Sequence, residues 1–155
     1  MGKSRLIASL AVTFAVAVAT TGCSMLAPQA TTIPYSPSDG VNVPDSGPLE
    51  VRNALIVADE DGRDGNLIAA IVNDTDRSQT LTIEFGEPAV KATVPVPARS
   101  VVSLGTEREP LLLEGIDADL GSNLEIHFQS GDHTGALVAV PVLDGTLPYL
   151  ADLAP

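Results

Sequence analysis

The sequence predicts an all-β domain in which about seven strands form a two-layer sandwich. Apolar and polar residues alternate along several segments, most clearly where Leu81, Ile83 and Phe85 are interleaved with threonine and glutamate. This period of two is typical of strands with one buried face. Turn-forming clusters such as DEDGRDG, NDTDRSQ and SGDHTG separate these segments, at the spacing of roughly 10 residues that all-β domains show. A long helical period is missing, apart from a possible single turn at 115–120.

The other strands follow from the same period. The segments LEVRNALIV, AVKATVPV and NLEIHFQ alternate, whereas LIAAIV and LVAVPVL are continuous apolar runs that predict central strands. In the first segment we expect four side chains on one face: Leu49, Val51, Leu55 and Val57. Phe85, Ile126 and Phe128 are predicted to be buried. A domain of roughly 100 residues with these strands is typical of an immunoglobulin-like or cupredoxin-like sandwich.

The first 22 residues are predicted to be a signal peptide. Lys3 and Arg5 give a positive start, Leu6 to Thr20 carries no charge, and small residues close the segment. The apolar run is shorter than the roughly 20 residues that a membrane-spanning helix needs. The alternative is an N-terminal membrane anchor that is not cleaved.

Cys23 is the only cysteine of the chain and follows Thr20, Thr21 and Gly22 directly. This arrangement resembles the lipobox of bacterial lipoproteins, although that motif prefers leucine where Thr20 stands. The resemblance implies transfer of a diacylglyceryl group to the Cys23 sulfur and cleavage after Gly22. Two or three acyl chains anchor a protein stably, so we expect attachment to the extracytoplasmic face of the cell membrane.

Residues 23–48 are predicted to be the lipidated cysteine followed by a flexible linker, because proline, serine and threonine dominate there. The sandwich domain is predicted at 49–150 and a short tail at 151–155. After Gly22 the chain holds six basic and 20 acidic residues, a formal charge of −14. Such a charge excludes nucleic acid as a partner, since that binding depends on lysine and arginine.

Three groups of side chains are candidates for metal or acid–base chemistry. His127 and Glu125 lie two residues apart, so they share one face of a strand. His133 stands alone in the predicted turn SGDHTG. For each, an exposed structural role is the favoured interpretation.

An acidic loop is the third candidate, with oxygen donors at Asp59, Glu60, Asp61 and Asp64. Arg63 stands where an EF-hand calcium loop places its third ligand, and the glutamate that ends such loops is missing. Asn66 does not restore the pattern. A solvated hairpin is therefore favoured over a calcium site.

Nucleophilic catalysis has no support in the sequence. The segment after Cys23 has no further cysteine and no Gly-x-Ser-x-Gly elbow. We therefore predict no enzyme, no catalytic residue and no cofactor. The triplet NDT at Asn73 matches a glycosylation acceptor, which matters only in a host that glycosylates such sites, and the resemblance to a bacterial lipobox argues against such a host.

Several short motifs of the C-terminal half resemble the second half of PCuAC-type periplasmic copper chaperones. The matching positions are Leu104-Gly105, Gly115-Ile116, Leu120-Gly121, Phe128 and Val140-Pro141-Val142. The whole chain resembles the LpqE-like lipoproteins of actinobacteria still more closely, through its lipobox, its linker and the ending VPVLDG. Both resemblances imply a cupredoxin-like sandwich.

The copper function is not implied by this resemblance. The chaperones bind copper with a His-x-Met segment, which aligns here with Pro110 and Leu112, and the only methionine after Cys23 is Met25. Copper(I) prefers such soft ligands. We therefore expect a lipid-anchored binding or scaffolding module with an envelope protein as its partner and no metal. The alternative is a metal chaperone with non-standard ligands.

Overall fold

A computed structural model describes residues 2, 7, 11–14, 16, 35–36 and 38–155. The chain divides into two compact units, Met1–Tyr35 and Ser36–Pro155. In the first unit, residues 2, 7, 11–14 and 16 are helical. The helical residues described here form no helix long and apolar enough to cross a bilayer. Cys23 and residues 24–34 and 37 of the predicted linker lie outside the described residues.

The second unit is almost entirely β-structure, as predicted. Its nine strands are β1 Val41–Val43, β2 Leu49–Ala58, β3 Gly65–Asn73, β4 Gln79–Phe85, β5 Val90–Val96, β6 Ser100–Leu104, β7 Leu111–Leu113, β8 Asn123–Ser130 and β9 Ala136–Leu143. A short 3-10 helix at Ala151–Leu153 follows. Residues 115–120 form turns and irregular chain, so the helical turn expected there is absent.

Seven strands follow one hydrogen-bonded path in the order β5-β4-β8-β9-β2-β3-β6. The short strand β1 pairs with β2, and β7 pairs with β3. Strand β9 joins the two layers, since it is antiparallel to β8 along its length and parallel to β2 at Val142 and Leu143. The other pairings are antiparallel. The continuous runs predicted as central strands are β3 and β9, and both have neighbours on two sides.

The core lies between the layers and consists of aliphatic residues with two phenylalanines. Phe85, Ile126 and Phe128 are at most 3% exposed, which confirms their predicted burial. Strands β4 and β8 each supply alternate residues to this core. Because every second residue faces inward, the opposite residues of β4, β5 and β8 form a polar outer surface.

A β-bulge in β2 makes one sequence prediction wrong. Arg52 lies opposite Ala70 and Leu55 opposite Ile68, so two residues of β2 face a single residue of β3. Asn53 takes a left-handed conformation at φ 52°, which asparagine tolerates better than most residues. The extra residue reverses the alternation. Leu49 and Val51 therefore face the main core, whereas Leu55 and Val57 belong to a second cluster on the outer surface.

The C-terminal segment covers this second cluster. Leu150 is 3% exposed and packs with Leu55, Val57 and Ile68. The Asn66 side chain donates a hydrogen bond of 2.9 Å to the Leu153 carbonyl. The last residues are thus part of the folded unit, and the tail expected after residue 150 is packed against it.

The folded unit also begins earlier than residue 49. Strand β1 lies inside the segment predicted as linker and pairs with β2. Ser46 is buried, and its carbonyl accepts hydrogen bonds from the Ser130 amide and hydroxyl, each 2.8 Å. Gly47 must remain glycine, because a Cβ there would lie 2.4 Å from the Ser130 carbonyl oxygen. Composition alone did not reveal these contacts.

Candidate functional site

The acidic loop between β2 and β3 uses its carboxylates to hold backbone amides. Asp59 Oδ1 accepts a hydrogen bond of 2.9 Å from the Arg63 amide. Asp64 Oδ1 accepts one of 2.8 Å from the Gly115 amide on a neighbouring loop. Glu60 and Asp61 are exposed. Two of the four candidate ligands thus serve the fold.

His127 lies on the outer surface of the layer that contains β4, β5, β8 and β9. Its Nε2 is 2.9 Å from the Thr134 carbonyl oxygen, across the turn that follows β8. The register places Glu84 directly opposite His127, and Lys91 opposite Glu84. Glu125 is exposed on the same strand. The carboxylate across the ladder from His127 is therefore Glu84, which sequence spacing did not indicate.

Glu84 and Lys91 form an ion pair with an Nζ to Oε1 distance of 2.6 Å. The hydrogen bond from Lys91 lowers the pKa of the Glu84 carboxyl from its ordinary value of 4.5. Since the pair is open to solvent, its contribution to stability is small.

His133 is exposed in the turn between β8 and β9.

Pro110 and Leu112, the positions aligned from the sequence with a His-x-Met copper segment, have no metal-donor side chains. Pro110 precedes β7, and Leu112 is 47% exposed on that strand. Among residues 35–36 and 38–155, and the few described before them, no three His, Cys, Asp or Glu side chains are placed to hold a metal. Met25 lies outside the described residues.

An open cleft of about 790 Å³ lies beside the C-terminal segment. Acidic residues line it, namely Asp59, Glu60, Asp61 and Asp144. Hydrogen bonds from the Thr146 hydroxyl and amide lower the pKa of the Asp144 carboxyl. No lysine, arginine or histidine is among the residues that line the cleft.

A second groove, of about 380 Å³, runs between the ends of β5 and β6. Valine and proline form most of its surface, and Arg108 adds a positive charge. Its residues are Ser78, Pro95, Val96, Pro97, Ser100, Val101, Val102 and Arg108. Val101 is 50% exposed, although it lies within a strand. The groove thus combines apolar side chains with the edge of a sheet.

Strands β5 and β6 are the two ends of the strand path, so each has one side without a neighbour. The edge of β6 that faces away from β3 is covered at its C-terminal end, where the Arg108 amide donates a hydrogen bond of 3.1 Å to the Ser103 carbonyl. Because alternate residues of a strand point to the same side, this bond shows that the backbone groups of Val101 also face away from β3. Pro95 interrupts the open side of β5.

Sequence reasoning did not identify this groove. It depends on two strands that lie far apart in the strand order, with β6 not predicted as a separate strand. The only local signal is Pro95 within an alternating segment, since proline in a strand indicates an edge.

The fold is similar to that of PCuAC domains of known structure. The apo PCuAC domain from PmoF1 is 17% identical, with a TM-score of 0.52, over 64% of this chain and 97% of that domain. The apo PCuAC domain of PmoF2 is 15% identical, with a TM-score of 0.53, over 68% and 97%. The copper-bound PCuAC domain from PmoF2 is also 15% identical, with a TM-score of 0.51, over 66% and 97%.

The chain matches no protein-family model and no curated protein. At such low identity the similarity to PCuAC domains shows a shared fold alone. The second unit therefore has the β-sandwich fold of PCuAC domains.

Proposed function

We propose that this protein is a lipid-anchored, non-enzymatic binding module of the cell envelope, similar to the LpqE-like lipoproteins of actinobacteria. The observation that carries the proposal is the open edge of β6 beside an apolar groove, since exposed strand edges accept a partner's strand. The candidate polar residues support it as well. Asp59, Asp64 and His127 contact backbone groups rather than one another.

The anchor is proposed from the lipobox-like residues before Cys23. We expect Cys23→Ser to release the protein from the membrane fraction or to leave an uncleaved precursor. Mass spectrometry of the mature protein should show an acylated N-terminal cysteine. An unmodified thiol at Cys23 would contradict the anchor.

Binding is tested by photo-cross-linking in the native cells. A photoreactive amino acid is placed at one of three exposed apolar positions: Val101 on β6, Leu120 in the loop before β8, and Leu137 on β9. Position 87, in the exposed turn between β4 and β5, serves as the control. We expect a discrete cross-linked protein from at least one apolar position and none from the control. If all four positions give the same background, the binding role is wrong.

A metal chaperone with non-standard ligands is the second candidate. The copper-bound PCuAC domain among the similar structures favours it. In this chain the ligands would have to come from carboxylates and the two histidines, which suit copper(II) better than copper(I). A copper titration separates the two candidates, because a binding module needs no metal.

A further inference from the structure

We propose that the groove between β5 and β6, lined by residues 95–97, 100–102 and 108, binds an extended polypeptide segment that adds to the edge of β6. We infer that this segment carries one carboxylate side chain next to β-branched apolar residues and is not acidic overall. The inference rests on the proposed binding function and specifies its partner. Three features of the groove support it.

The first feature is the backbone of β6. The Leu104–Arg108 bridge uses the Ser103 carbonyl and the Gly105 amide on the side away from β3. Two residues earlier, the amide and carbonyl of Val101 face the same side. In the described part of the chain they have no partner strand, since β6 pairs only with β3 along its length. An added strand would supply the missing hydrogen bonds.

The second feature is the apolar surface beside this edge. Val101 is 50% exposed and Val102 is 5% exposed, so the two faces of β6 differ at the groove. Pro95 and Pro97 are exposed and line the same groove. A strand laid along Val101 would bring alternate side chains onto these residues. Valine, isoleucine and threonine fit a pleated surface of this kind.

The third feature is charge. Arg52, Lys91 and Arg99 form ion pairs with Glu50, Glu84 and Asp76. Arg108 forms no ion pair with any residue that the structure describes, and it lines the groove. Its guanidinium could therefore bind a carboxylate of the added segment. The formal charge of −12 for the whole chain repels polymers with many carboxylates. We therefore expect the partner segment to carry a single carboxylate.

The edge of β5 is less suited to pairing with an added strand. Pro95 lacks an amide hydrogen, and Lys91 and Thr93 share its exposed face of the strand. Proline and lysine on an edge are the devices by which natural sheets prevent pairing. Strand β6 contains neither residue. The pairing is therefore expected on β6 alone.

The test uses full-length protein in detergent and a fluorescein-labelled peptide, KTVTVEVTK, with both ends blocked. A second peptide, KTVTVQVTK, differs only in lacking the carboxylate. Fluorescence anisotropy should show saturable binding of the first peptide. The Kd of the second peptide should be higher by a factor of up to about three, as expected for the loss of a partly exposed ion pair.

Two variants locate the site, each with a matched control. Arg108→Gln should make the two peptides bind equally, whereas Arg63→Gln, an exposed arginine outside the groove, should keep their difference. Val101→Pro removes an amide hydrogen at the open edge and should weaken both peptides at least tenfold. Thr93→Pro, the same change on β5, should not. Melting temperatures establish that each variant is folded.

The outcomes distinguish this inference from the proposed function. If neither peptide binds the wild type, or if Val101→Pro leaves binding unchanged, the strand-addition site is wrong, although cross-linking from another surface would still support a binding module. If Arg108→Gln retains the preference for the glutamate peptide, the assigned carboxylate contact is wrong. If no position gives a cross-link, the proposed function itself fails.

Discussion

Asn73 is the residue whose side chain holds the turn between β3 and β4 in place. Its amide is fully buried and donates hydrogen bonds to the carbonyls of Arg77, Val96 and Pro97, at 2.8, 3.1 and 2.9 Å. Its Oδ1 accepts the Thr75 amide at 3.0 Å. One side chain thus joins the end of β3 to the end of β5. The sequence marks Asn73 only as a glycosylation triplet, a role its burial excludes in the folded domain.

Replacing Asn73 should destabilise the fold more than replacing an exposed asparagine. Asn73→Ala leaves buried carbonyls without donors, which costs about 1–3 kcal/mol. Asn123→Ala, an exposed position on β8, is the matched control and should stay within about 0.5 kcal/mol. Urea denaturation measures both. Equal stability of the two variants would mean that the turn does not depend on Asn73.

Glu84 offers a prediction about pH. Its folded-state pKa is lowered through the hydrogen bond from Lys91, so the ion pair stabilises the fold above pH 4.5 and is lost as the pH falls through the lowered pKa. In Lys91→Met the Glu84 carboxyl should titrate at a higher pH, whereas Lys91→Arg should keep the lowered value. NMR of the side-chain carboxyl carbon measures the midpoint. An unchanged midpoint in Lys91→Met would contradict the assignment.

Among the elements, the C-terminal segment depends most on the bulge in β2. Because Asn53 reverses the alternation, Leu55 and Val57 lie on the outer surface and need cover. Leu150 supplies that cover. The bulge and the segment are therefore coupled, because the bulge places Leu55 and Val57 on the surface that Leu150 covers.

This coupling predicts different effects for two leucines of the same segment. Leu150→Ala empties a buried position and should cost about 2–4 kcal/mol. Leu147→Ala, at a side chain that is 45% exposed, should change the free energy of unfolding by less than about 0.5 kcal/mol. Chemical denaturation of both variants checks this. Similar, small effects would show that the segment does not hold the outer cluster.

For the whole molecule, the sequence was sufficient to predict the class of fold but not its boundaries. Period-two patterns identified β4 and β8 and the burial of Phe85, Ile126 and Phe128, because alternation reports directly on burial. The bulge at Asn53 was missed, since one extra residue leaves the local pattern of apolar residues intact. Strand β1 was missed because its pairing depends on β2 rather than on its own composition.

The candidate site was less predictable still. Single residues could be placed on strand faces from the sequence, as for His127. The partner opposite each residue depends on strand order, which no local pattern contains. The groove beside Val101 lies between β5 and β6, which residues 97–99 connect but which the sandwich places at opposite ends of the strand path.

The central claim is that the domain acts by binding a partner and not by carrying metal. It is tested most directly by competing full-length protein against a chromophoric copper(I) chelator, with a copper(II) titration in parallel. We expect no copper to be withdrawn from the chelator and no change in melting temperature, whereas a specific ligand at 100 times its Kd would add about 2.7 kcal/mol of stability. Stoichiometric, submicromolar copper binding that is lost in His127→Ala or His133→Ala would contradict the account and establish the metal chaperone instead.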